Sequence, residues 1–156
     1  MAPVPMDPIF VSFHDDNAMM TPLCLVDGRP DTFLLTTGGF PQDIILSVGT
    51  SAFSDISSLR LELHEAKRIV VEKCTTALPT VFEKVADLTL PRTPEDVRQV
   101  EELQFDLQST GKGVRYFRLR LLSGYNQFVG LFGVTADGEE SQQRVAILES
   151  QPEVVM

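Results

Sequence analysis

The sequence predicts an all-β domain, a sandwich or a barrel, on three observations. Short runs alternate apolar and polar residues with the period of two that turns one face of a strand toward a core. These runs recur at a spacing of roughly 8–12 residues, with turn residues between them. Helical periodicity is hard to find, which sets a βαβ arrangement aside.

The elements follow in order. In Ile9 to Phe13, Ile9, Val11 and Phe13 share one face while Phe10 and Ser12 share the other, a strand pattern. Thr32 to Thr36, Asp43 to Val48 and Ser58 to Leu63 come next. In the last of these Leu59, Leu61 and Leu63 point one way and Arg60 and Glu62 the other. Lys67 to Cys74 sets Ile69 and Val71 opposite Arg68 and Val70. Val85 to Leu90, Glu102 to Leu107, Val114 to Leu122 and Phe128 to Thr135 complete the set. Between them lie Gly38 to Pro41, His64 to Ala66 and the acidic Pro91 to Glu101. There Thr93 as N-cap and Pro94 at the first position predict a turn of helix. After Gly138 the chain turns polar and acidic, with one apolar island at Val145 to Leu148. The expected organisation is a domain over 1–138 and a flexible tail over 139–156.

At 156 residues one domain buries roughly 68–70% of the surface its unfolded chain exposes, so folding requires no disulfide or metal. Hydrophobic content of 43% and charged content of 22% are too apolar for a disordered chain. A formal charge of −9 argues against a sequence-independent grip on nucleic acid, which rests on Lys and Arg displacing counterions. Cys24 and Cys74 form no C-x-x-C, so no disulfide framework or zinc cage is indicated, and a reducing compartment fits. No basic leader and no run approaching the roughly 18 apolar residues of a membrane span is seen, and the expectation is a soluble cytoplasmic protein without membrane insertion.

Catalytic motifs fail one by one. Ser109 to Gly113 has a phosphate-loop flavour, but a Walker A loop needs Gly six positions before Lys112 and Ser or Thr after it; Asp106 and Gly113 stand there. A hairpin turn between two strands is the expected role. His64-Glu65 opens like a zincin helix, yet Arg68 occupies the place of the second imidazole. His14-Asp15-Asp16 lacks partner spacing, which favours a solvated loop over a metal site. Neither Cys has a neighbouring His to lower its pKa, so both read as buried small hydrophobes. In Val114 to Leu122 the period of two buries Phe117, Leu119 and Leu121 and turns Arg118 and Arg120 the other way. Cross-strand carboxylates such as Glu102 and Asp106 are their expected partners, rather than nucleic acid.

The segment Leu23 to Leu46 carries the remaining chemistry. Asp27-Gly28 is followed by Pro30, Asp31 and Thr32 before a strand begins. A loop stiffened by Pro and sharpened by Gly turns carbonyl oxygens toward one centre, with a carboxylate and a hydroxyl completing the set. Such an all-oxygen set suits Ca²⁺, a hard cation with flexible geometry, although an Asp-Gly turn alone is more often only a turn. The spacing does not match an EF-hand.

VDGRPDTF (Val26 to Phe33), followed by TTGGFPQDIIL (Thr36 to Leu46), resembles the strand-loop-strand signature of galactose-binding-like, discoidin-type β-sandwich domains. RYFRLRLLSGYNQFVGLFGVTADG (Arg115 to Gly138) resembles their last two strands. More narrowly, residues 9 to 138 resemble the intraflagellar transport protein 25 family. That resemblance implies an antiparallel jelly-roll sandwich of eight strands, not an enzyme, that forms a stable heterodimer with a Rab-like small GTPase, intraflagellar transport protein 27. It also implies membership of intraflagellar transport complex B, cargo transport, and a place at the cilium or flagellum and basal body. It implies a structural Ca²⁺ with Asp27 and Thr32 as side-chain ligands and the Arg29 carbonyl as a backbone ligand. A further ligand is expected from the last strand, where Gly133 offers only its backbone.

Relatives often have Trp where this chain has Leu34. A sugar site needs an aromatic platform, and with no Trp and Tyr125 the one Tyr in a loop, a carbohydrate-binding role ranks below the transport reading. A second alternative is a small-heat-shock-like chaperone, for which Val145-Ala146-Ile147 resembles the C-terminal anchoring motif.

Overall fold

The computed structural model describes residues 2–13, 21–36, 39–50 and 52–141. Ten strands form in chain order: β1 (Ala2–Val4), β2 (Met6–Val11), β3 (Leu34–Leu35), β4 (Gln42–Val48), β5 (Ser54–His64), β6 (Ala66–Cys74), β7 (Glu83–Thr89), β8 (Gln99–Gln104), β9 (Tyr116–Gly124) and β10 (Gly130–Glu140). Among the described residues a single 3₁₀ turn, Pro22–Leu25, begins where Thr21 leaves extended backbone and Pro22 supplies a fixed φ. All pairing is antiparallel, in two five-stranded sheets. One runs β1-β10-β5-β8 with β3 beside β10; the other runs β2-β4-β9-β6-β7. The resemblance implies eight strands, and two more form here, the short β1 and β3, both paired with β10.

The alternating residues meet between the sheets. Ile44 and Leu46 of β4, Phe117, Leu119 and Leu121 of β9, and Ile69 and Val71 of β6 are fully buried. Opposite them stand Ile56, Leu59, Leu61 and Leu63 of β5 and Leu131, Val134 and Ala136 of β10. Cys24 and Cys74 are buried free thiols, as expected, Cys24 between Leu23 and Leu25 and Cys74 against the Thr76 hydroxyl. Among the described residues no helix is long and apolar enough to cross a membrane.

Four local expectations are corrected. Val11 and Phe13 face the core, but Ile9 is 47% exposed, because a bulge between Pro8 and Phe10 leaves Ile9 without a partner on β4 and breaks the alternation. Pro94 starts no helix: Thr93 donates its hydroxyl to the Val97 carbonyl and Val97 N–H reaches Pro94, closing one turn. The loop holding Ser109 to Gly113 is no hairpin, since β8 pairs with β5 in one sheet and β9 pairs with β4 and β6 in the other. It crosses the sandwich, and Lys73 Nζ pins it by donating to the carbonyls of Ser109 at 2.8 Å and Lys112 at 3.1 Å. Arg118 and Arg120 are ion-paired across strands, but with Glu72 at 2.7 Å and Asp43 at 2.9 Å, because β9 lies between β4 and β6 and not beside β8.

The last strand continues past the expected domain end at Gly138: Glu139 and Glu140 pair with Asp55 and Ser54. Val145 to Leu148 and His14-Asp15-Asp16 lie outside the described residues.

Candidate functional site

The Asp27 loop leaves the 3₁₀ turn at Val26 and rejoins the sandwich at β3. Gly28 makes the corner with a φ of +73°, in the left-handed region that other residues avoid. The Asp27 carboxylate accepts the Arg29 N–H at 2.8 Å, the self-bonding turn that Asp favours. Thr32 is 8% exposed, and its hydroxyl lies 3.0 Å from each Asp27 carboxylate oxygen, 3.3 Å from the Arg29 carbonyl and 3.4 Å from the Cys24 carbonyl. One hydroxyl proton serves one acceptor well, yet four oxygens converge on it. Asp27, Arg29 and Thr32, the set that the family resemblance implies, thus lie together in the structure. Gly133 lines the adjoining cleft with Gly28, Arg29 and Pro30, and a side chain there would meet only the Leu25 carbonyl, at 3.9 Å.

The Cys24 carbonyl was not legible in sequence, because a backbone oxygen has no residue signature and only the 3₁₀ turn aims it inward. The Cys24 thiol is pushed up by burial and further by the Asp27 charge, so it stays neutral. Among the described residues no three His, Cys, Asp or Glu cluster together, so a cation here would rest on carbonyl and hydroxyl oxygens around one carboxylate. That is hard-cation chemistry; softer metals need imidazole or thiolate.

An open cleft of about 710 Å³ lies elsewhere, between Phe40 and the β9–β10 connection, lined also by Tyr125, Asn126, Gln127 and Phe128. Tyr125 is committed: its hydroxyl donates to the Leu90 carbonyl at 2.5 Å, and Lys67 and Arg92 each lie 5.9 Å from its ring centre.

A curated protein named intraflagellar transport protein 25, from Chlamydomonas reinhardtii, is 30% identical over 115 residues, 73% of this chain. Its homolog in Homo sapiens is 28% identical over 114 residues, 73% of this chain and 74% of the human protein. The chain is a homologue of intraflagellar transport protein 25. It spans only 56% of the length of the Chlamydomonas intraflagellar transport protein 25. No protein-family model matches the chain. Among solved structures, a family 32 carbohydrate-binding module of Clostridium perfringens NanJ, in complex with galactose, superposes with a TM-score of 0.66. It is 14% identical and covers 86% of this chain and 97% of its own. At that identity the likeness concerns the fold, and the galactose belongs to the bacterial module. The likeness to this module supports the fold, an antiparallel jelly-roll sandwich of galactose-binding-like type.

Proposed function

We propose that this chain is a non-enzymatic interaction subunit of intraflagellar transport complex B, acting at the cilium or flagellum. In this reading it pairs with a Rab-like small GTPase, intraflagellar transport protein 27, and supports cargo transport. The single observation that carries the reading is the homology to proteins named intraflagellar transport protein 25 across 73% of the chain. Tagged full chain purified from ciliated cells tests it. One small GTPase at equal stoichiometry, with other transport subunits in substoichiometric amounts, is the expected result. Recovery of the chain alone contradicts it.

The proposal includes a structural Ca²⁺ at the Asp27 loop. Four oxygens crowd one buried hydroxyl, a surplus of acceptors that a cation relieves. Asp27, Thr32 and the carbonyls of Arg29 and Cys24 would hold it, with Gly133 limited to a backbone contribution. Ca²⁺ supplies positive charge that draws these oxygens together and fixes the loop.

A second reading, carbohydrate binding, is favoured by one observation: Phe40 and Phe128 flank the open cleft, and Asn126 and Gln127 offer amide groups between them. Specific retention on a glycan array would support it.

A further inference from the structure

Arg98 enters from the connection between β7 and β8 and touches three other segments. Its guanidinium lies 4.0 Å over the Phe132 ring of β10. One nitrogen donates to Glu62 of β5 at 3.2 Å, and another donates to the Pro30 carbonyl in the Asp27 loop. The Glu62 carboxylate is shared, its second oxygen taken by Arg60 at 2.6 Å, so both ends of the carboxylate are committed and orient Arg98. Phe132 also packs, with its ring tilted, against Phe33, the residue after Thr32, the ring centres 5.2 Å apart. The loop is therefore held at two points: Pro30 next to the Arg29 carbonyl, and Phe33 next to the Thr32 hydroxyl.

We propose that Arg98 is the positioning residue of the Asp27 loop, a latch that sets the Arg29 carbonyl and Thr32 in place before a divalent cation arrives. The inference rests on the calcium reading of that loop. Gly28 and the exposed Arg29 and Asp31 give the loop freedom that Pro30 restricts only at its own φ and that must be lost on binding, and a latch formed during folding removes most of that cost from the binding step. Charge and position act in opposite directions here. As a nearby positive charge Arg98 repels a cation, so deleting it would tighten binding; as a latch it does the reverse.

The test is calorimetric titration of Ca²⁺ into the full chain, with melting in chelator as a check on the fold. Arg98→Met keeps the stem on Phe132 and removes the fork that holds Pro30 and Glu62. It is expected to weaken Ca²⁺ binding about tenfold, the lower range for groups that orient ligands, while melting in chelator stays close to the parent. Phe132→Leu, which removes the ring beneath Arg98 and beside Phe33, is expected to weaken binding in the same direction and carries the test where Arg98→Met does not fold. Parent-like or tighter binding by the folded variant overturns the latch and leaves the calcium reading standing. Absence of Ca²⁺ binding by the parent overturns the calcium reading, and the latch with it.

Discussion

Thr32 has one proton and four oxygen neighbours, and that imbalance defines the chemistry of the Asp27 loop. Removing the carboxylate is the direct test. A ligand at a hundredfold its Kd stabilises a fold by about 2.7 kcal/mol, roughly 5–10 °C in melting temperature for a domain of this size. Asp27→Ala is expected to lose that Ca²⁺-dependent increment entirely and, in chelator, to melt slightly lower than the parent because the Arg29 N–H loses its acceptor while Thr32 keeps two carbonyls. Differential scanning calorimetry with and without chelator measures both; a parent that melts identically in the two conditions would falsify the site. Asp27 and Thr32 were legible because six residues of chain confine them to one loop, and the Arg29 carbonyl because the family resemblance implies it. Arg98 and Glu62 were not, since 36 residues separate them and only the sheet order brings them to one loop.

Strand positions were legible where alternation runs unbroken, as in β4 and β9, whose inward residues are those the period of two selects. They were not legible where the backbone departs from that period. Ile9 sits in a bulge of β2. Ser57 sits in another on β5, where Ser58 pairs with Asp137 and Ile56 with Gly138. Strand order was equally hidden, because alternation names a face and not a neighbour, and Arg118 and Arg120 pair with Glu72 and Asp43 rather than with Glu102 and Asp106. The crossing loop between β8 and β9 shows what order then requires. It passes so close to β5 that a Cβ on Gly111 would stand 1.8 Å from the Ile56 carbonyl oxygen. Gly111→Ala must shift backbone, and a loss of about 1–3 kcal/mol is expected by denaturant titration, the range for overpacking; parent-like stability would show that the loop has slack. The pairing of β6 with β7 carries a pH signature. The Arg68 guanidinium, 2.8 Å from Asp87, holds that carboxyl below its ordinary value. A carboxylate held low contributes stability above its unfolded value of about 3.9 and loses it as pH falls through the lower folded value. Asp87→Asn is therefore expected to flatten the acid limb of the stability curve slightly, as befits an exposed pair. An acid limb as steep as the parent's contradicts it.

At the scale of the molecule, a formal charge of −9 and an all-β sandwich fit a protein that works by binding other proteins, but neither identifies a partner. The fold is shared with bacterial sugar-binding modules at 14% identity, whereas the homology to intraflagellar transport protein 25 runs at 28–30%. That difference decides which analogy leads. The chain's acidity also predicts that association with a partner presenting a basic face slows as salt rises, a signature of electrostatic steering that stopped-flow mixing measures. Light scattering coupled to size exclusion, on the purified full chain mixed with the proposed partner, a Rab-like small GTPase, tests the central claim most directly. The account predicts one stable species containing a single copy of each protein, and two peaks that never merge would contradict it.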